Sequence, residues 1–142
     1  DGVRWRHDRP TGAHIGLCSV SPLTGEDVVA AGELMRADIE AAVYDYIGGW
    51  LGTARHAINV LMIFFDGANP DETETVRRVF GGLVPKLAAR GYGEYRAHLE
   101  FMDQVADQFT WNDSALRPLN GRIKSALDPN GILAPGKQGI WP

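Results

Sequence analysis

The sequence predicts an α+β fold: a mostly antiparallel sheet with helices on one face. Three observations carry that expectation. The elements read in the order β-α-β-β-α, and strands that follow each other without a helical crossover pair antiparallel. Two segments repeat apolar residues at steps of three and four, the spacing of a helix buried along one stripe. His14–Val20 and Ala57–Phe65 are short apolar runs bounded by turn residues, as strands are.

Residues 1–13 are polar, carry Gly and Pro, and read as a leading loop. His14–Val20 is a strand ended by Ser21-Pro22. Thr24-Gly25-Glu26-Asp27 resembles a capping box that opens a helix of roughly twenty residues. Its apolar face is Val28, Ala31, Met35, Ile39, Ala42 and Tyr46, and Gly48-Gly49 is the expected stop. Trp50-Leu51 and Ala57–Phe65 are strands, the second buried on nearly both faces because its apolar residues do not alternate with polar ones. After the Asp66-Gly67 turn, Asn69-Pro70-Asp71-Glu72 starts a second helix: a cap, a proline at the first position and an acid three residues later. Val76, Val79, Phe80, Leu83 and Leu87 form its stripe, Pro85 should kink its last turns, and Arg90-Gly91 ends it. A third helix is expected from about Tyr95 to Phe109. A last one follows caps at Asn112-Asp113-Ser114 and carries Leu116, Leu119, Ile123 and Leu127, weakened by Pro118 and Gly121. Asp128–Pro142 reads as an ordered irregular tail.

Composition narrows the chemistry. The 142 residues suit one domain rather than two well-filled ones. Net charge is −4 and no Lys/Arg cluster is present, which argues against a nucleic-acid or anionic-membrane surface. The single cysteine, Cys18, excludes an internal disulfide and a cysteine metal cage. The longest apolar run, Val60–Phe65, is too short to cross a bilayer. No phosphate-cradling glycine loop, GxSxG or HExxH is found, and His7, His14, His56 and His98 lack a ligand spacing. The chain begins Asp1-Gly2-Val3 and reads as a C-terminal piece of something longer, so the missing signal pattern says little about compartment. The cytoplasm is the expectation.

Isolated candidates remain, each with a plain structural alternative. His14 opens a strand and could be a nucleophile, a base or a cofactor anchor, or simply a strand-end histidine. Tyr95 and Arg96 put a phenol beside a guanidinium. Both donate hydrogen bonds and one is always charged, so the pair could bind an oxyanion, or be a packed Tyr and a surface Arg. At a helix start, the unpaired N–H groups would add positive potential there. His56, beside Arg55 between two strands, is a weaker candidate, with an edge ion pair as its alternative. Cys18 reads as a small buried thiol, and Trp111 and Trp141 as packing residues.

The run Gly91-Tyr92-Gly93-Glu94-Tyr95-Arg96-Ala97-His98-Leu99 resembles the vanillyl-alcohol oxidase and 4-cresol dehydrogenase family of FAD-linked oxidases, nearest the bacterial eugenol oxidase branch. The resemblance continues through Phe101-Met102-Asp103, Trp111-Asn112, Leu127–Lys137 and Gly139-Ile140-Trp141-Pro142, and covers residues 12–142. The DPNGILAPGK stretch is shared with many FAD-linked oxidases. GYGEYR, WN and GIWP together are more specific to the phenol-oxidising group. The resemblance implies that Tyr95 and Arg96 hold the substrate phenol as its phenolate, and that His14, 81 positions earlier, is the histidine carrying covalent flavin. It implies FAD as cofactor, a small phenolic substrate, a flavin domain outside this chain, a homo-oligomer at full length and, in some members, a cytochrome acceptor. Residues 1–91 would be the second half of the substrate cap domain, and residues 92–142 the segment that completes the FAD-binding domain. The whole protein would be an FAD-dependent phenol oxidase or dehydrogenase, with the fragment inactive alone. The run Ile15–Ser19 departs from the family's aromatic pattern, so Cys18 could shape a different pocket wall. The alternatives are an FAD-linked hydroxy-acid dehydrogenase of the wider superfamily and a non-catalytic α+β fragment.

Overall fold

The computed structural model describes residues 10–142. The chain forms two compact units, one running through Arg96 and one spanning Ala97–Pro142. The first holds β1 (Gly12–Leu17), β2 (Ser19–Pro22), helix α1 (Gly25–Ala41), β3 (Ile47–Gly52), β4 (His56–Asp66), helix α2 (Pro70–Ala88) and β5 (Gly93–Glu94). The expected α+β fold with an antiparallel sheet is what forms.

All pairings are antiparallel. β1 and β2 are one strand interrupted at Cys18, because both pair with β4 in a single register: Leu17 lies opposite Leu61 and Val20 opposite Ile58. β3 lines the other edge of β4, and β5 pairs with the outer side of β2. Strand alternation then separates two faces. Ile15, Leu17 and Ser19, with Ala57, Asn59, Leu61 and Ile63 of β4, are buried on one face. Both helices pack there, through Ala31, Met35 and Ile39 of α1 and Val76, Phe80, Leu83 and Leu87 of α2. The Ser19 hydroxyl reaches Met35 Sδ across that layer at 3.7 Å. The opposite face carries His14, Gly16, Cys18, Val20 and Pro22, with His56, Ile58, Val60, Met62 and Phe64 beside them. Among the described residues, the helices of this unit pack on the other face.

Both helix starts follow their local signals. Thr24 Oγ1 accepts from Asp27 N at 3.1 Å, and Asn69 Oδ1 accepts from Asp71 N and Glu72 N. Glu72 turns back to Asp66 N at 2.9 Å rather than to its own cap. The second helix runs on through Pro85 to Ala88 and ends on Gly91, at φ +80, with Tyr92 N bonded to Leu87 O and Gly91 N to Ala88 O.

The first helix is shorter than its pattern. It ends at Ala41, Val43 takes a left-handed φ of 64°, and Gly48-Gly49 lie inside β3 rather than at a helix stop. Gly48 is required for close approach, since a Cβ there would lie 2.6 Å from Tyr46 Oη. Tyr46 stays at the sheet because Asn59 Nδ2 donates to its hydroxyl at 3.3 Å and Arg36 lies 4.5 Å over its ring.

The second unit is built from short pieces: a 3₁₀ turn (Leu99–Phe101), α3 (Met102–Ala106), α4 (Trp111–Ser114), α5 (Leu116–Leu127) and a 3₁₀ turn (Lys137–Gly139). The long helix expected from Tyr95 to Phe109 does not form. β5 holds the chain extended through Glu94, and helix resumes only at Met102. Asn112, Asp113 and Ser114 have positive φ and form no cap bond. The tail folds on itself. Asp128 accepts from Lys124 Nζ, Ile132 N and Leu133 N, and Trp141 Nε1 donates to Asp103 at 2.8 Å. Trp111, expected to pack, is 82% exposed. α5 buries none of its residues, so Leu116, Leu119, Ile123 and Leu127 form an exposed apolar stripe.

Candidate functional site

His14, Cys18 and His56 fall along the sheet face opposite the helices, and Tyr95 and Arg96 follow directly after β5. The register that sets Ser19 opposite Glu94 and Val20 opposite Gly93 places Cys18 opposite Tyr95. Tyr95 N donates to Cys18 O at 2.7 Å. Cys18 N–H donates to Glu94 Oε1 at 2.8 Å. The Arg96 cation acts electrostatically on the Cys18 thiol and lowers its pKa. Residue 18 is therefore bonded to Glu94 through its N–H and to Tyr95 through its carbonyl.

Tyr95 and Arg96 lie on a bend after β5, not at a helix start. The expected contribution of free helical N–H groups is thus absent from this position. Both side chains remain exposed, Tyr95 at 61%. A phenolic O–H and a guanidinium, adjacent and exposed on one bend, supply the donor types that an anionic oxygen takes.

His14 projects from the same face of the sheet. It is exposed, its ring lies 5.8 Å from that of Phe64, and it has no hydrogen-bond partner among the described residues. It lies four positions along the strand from Cys18, roughly 13 Å at the usual rise. His56 lies opposite Pro22, four residues beyond Cys18 in the other direction. It belongs to the β3–β4 hairpin, where its backbone bonds Thr53. The structure thus sets His14 and His56 toward opposite ends of one face, with Cys18 between them bonded to the Tyr95 backbone. His7 lies outside the described residues.

Two groups shape the electrostatics beneath the pair. Burial raises the Cys18 thiol pKa, the nearby Glu94 carboxylate adds to this, and Arg96 opposes both. Cys18 is accordingly a buried protonated thiol rather than a nucleophile. Glu94 is pushed up to about 7 by burial, offset in part by the Cys18 N–H. Its second oxygen is buried without a partner. Sequence reasoning passed over Glu94. The available signal was an acid inside a Gly-x-Tyr-Arg run too short to expose it, which only the β5 pairing makes meaningful.

Comparisons with known proteins agree on one family. Residues 28–138 match the family described as FAD linked oxidases, C-terminal domain. The chain is 30% identical over 132 residues to the 4-cresol dehydrogenase [hydroxylating] flavoprotein subunit of Pseudomonas putida, covering 93% of this chain and 25% of that protein. It is 29% identical over 139 residues to a 1'-carboxy-chondrochloren decarboxylase of Chondromyces crocatus, covering 95% and 25%. Among solved structures it superposes on a 4-ethylphenol oxidase from Gulosibacter chungangensis in its isoeugenol complex, with TM-score 0.89, 35% identity, and coverage of 94% of this chain and 25% of that one. It also superposes on a p-cresol methylhydroxylase with substrate bound, with TM-score 0.84, 29% identity, and coverage of 91% and 24%. The chain spans about a quarter of the length of these relatives. It belongs to the FAD-linked oxidase C-terminal domain family and is a homologue of the 4-cresol dehydrogenase flavoprotein subunit.

Proposed function

We propose that this chain is part of an FAD-dependent oxidoreductase that oxidises para-substituted phenols, with Tyr95 and Arg96 holding the phenolate and His14 anchoring the flavin. The observation that carries the reading is that Cys18, on the same strand face as His14, accepts the Tyr95 N–H and brings the exposed Tyr95–Arg96 bend against that sheet. The relatives named for 4-cresol, 4-ethylphenol and p-cresol support the substrate class. Residues 1–91 form part of the substrate cap, and residues 92–142 return to the flavin domain. The exposed stripe on α5 supports a packing partner outside the chain. A relative described as a flavoprotein subunit supports a further subunit as electron acceptor.

The residues present fit FAD: an exposed imidazole with no hydrogen-bond partner among the described residues offers a ring nitrogen for a covalent link. Bound FAD would supply the acceptor for a hydride from the α-carbon of the para substituent. The chain's own residues prepare that carbon. Arg96 and Tyr95 donate to the phenol oxygen and favour its anion, which lowers the phenol pKa. The phenolate feeds electron density through the ring to that α-carbon. Loss of hydride from it would leave a quinone methide, to which water adds, or whose side-chain hydroxyl gives up its proton to form the aldehyde.

The test is Arg96→Ala in the full-length flavoprotein. A charge-assisted bond contributes about 1.5–3 kcal/mol, so catalytic efficiency on a 4-alkylphenol should fall about ten- to a hundredfold. Arg96→Lys should recover only part, because an ammonium lacks the planar fork. Wild-type efficiency with an unchanged pH profile in Arg96→Ala overturns the clamp.

A further inference from the structure

β5 is two residues long, and the chain leaves the sheet immediately after it. In a continued antiparallel ladder, Cys18 and Tyr95 would exchange two bonds: Tyr95 N to Cys18 O, and Cys18 N to Tyr95 O. Only the first forms. Cys18 N–H goes instead to the Glu94 side chain at 2.8 Å. The carboxyl group stands in for the backbone carbonyl of the next residue. The Tyr95 carbonyl is thereby released from the ladder, and the backbone bends at Tyr95-Arg96 while the buried Cys18 amide stays satisfied.

We propose that Glu94 is a positioning residue for the Tyr95–Arg96 pair: by capping the Cys18 N–H it lets the chain turn out of the sheet at Tyr95 and holds the Tyr95–Arg96 bend against that sheet. The proposal rests on the phenolate reading above. A second observation agrees with it. Glu94 Oε2 is buried and unpartnered, a costly state for an anion and a cheaper one for a neutral acid. The elevated pKa of about 7 fits a group that works protonated below neutral pH. Such a group needs only one acceptor oxygen toward Cys18, which a glutamine also offers. Aspartate, one methylene shorter, does not span the same gap.

The experiment uses the full-length flavoprotein and a phenol without a transferable para-side-chain hydrogen, 4-tert-butylphenol, as equilibrium probe. Glu94→Ala should weaken its binding about fivefold, the loss of one net hydrogen bond. Glu94→Gln should restore wild-type affinity within about twofold, and Glu94→Asp should resemble Ala. In the same samples, amide exchange at Cys18 should quicken about fivefold in Ala and return in Gln. Arg96→Ala serves as the control. If Arg96→Ala weakens the probe while Glu94→Ala leaves both binding and Cys18 exchange unchanged, the positioning role is overturned and the clamp stands. If Arg96→Ala leaves the probe unaffected, the clamp itself fails, and the exchange data alone decide whether Glu94 caps Cys18. If Ala does not fold, Gln and Asp still divide: equal affinity and equal Cys18 protection in those two overturns the proposal.

Discussion

Replacing Glu94 with glutamine should make the β2–β5 edge more stable at alkaline pH and nearly neutral in effect at acid pH. The cause is burial. A glutamate whose pKa rises from 4.5 to about 7 on folding binds its proton more tightly in the folded state. Stability from this group is therefore full below about pH 4.5 and is lost as pH climbs through 7. The shift corresponds to about 3 kcal/mol when the loss is complete. Glutamine keeps an acceptor for Cys18 N–H and has nothing to titrate, so it escapes that loss. Native-state amide exchange in the full-length protein, wild type against Glu94→Gln at matched pH, isolates the effect on local opening. Protection of the β2 and β5 amides should be nearly equal at pH 5. By pH 8 it should differ in favour of the variant by about 2–3 kcal/mol, roughly thirtyfold to a hundredfold or more in exchange rate. A difference that does not change between pH 5 and pH 8 would show that Glu94 does not titrate in the buried state, and the reasoning from its orphaned oxygen would fall.

Three further outcomes follow from other contacts. Phe80→Ala should cost about 3–5 kcal/mol, because Phe80 is fully buried between α2 and the sheet; a loss under 1 kcal/mol in equilibrium denaturation would contradict that packing. Gly48→Ala should displace the Tyr46 ring, since the new Cβ would sit 2.6 Å from its hydroxyl oxygen, and a crystal structure with Tyr46 unmoved would refute the close-approach account. His14→Ala in the full-length enzyme should yield flavin that is released on acid precipitation, whereas wild type should keep the colour in the pellet. A wild-type peptide map with unmodified His14 and full flavin content sinks the anchor assignment.

Local signals in the sequence determined much of the first unit. Thr24 and Asn69 announce two helix starts because a capping side chain needs only neighbours two or three residues away. The run around β4 declares itself by apolar residues on both sides of a strand. The same logic picked out His14, Tyr95 and Arg96 as chemically capable groups, and the GYGEYR and GIWP runs pointed to the family.

Tertiary contacts decided the rest. Gly48-Gly49 looks like a helix stop in isolation. It is a strand because Tyr46, held by Asn59 and Arg36 from two other elements, lies against it. Tyr95–Phe109 has helical spacing, yet its first residues are bent, because β5 pairs with β2 from 74 residues earlier. The stripe on α5 has the period of a buried face but is exposed within its own unit, since periodicity records a face and not its partner. Glu94 is the clearest case. Its elevated pKa and its bond to Cys18 arise from long-range pairing and desolvation, and neither exists until strands distant in sequence are brought together. The sequence by itself determined which residues could do chemistry, and only the folded sheet decided which of them share a face.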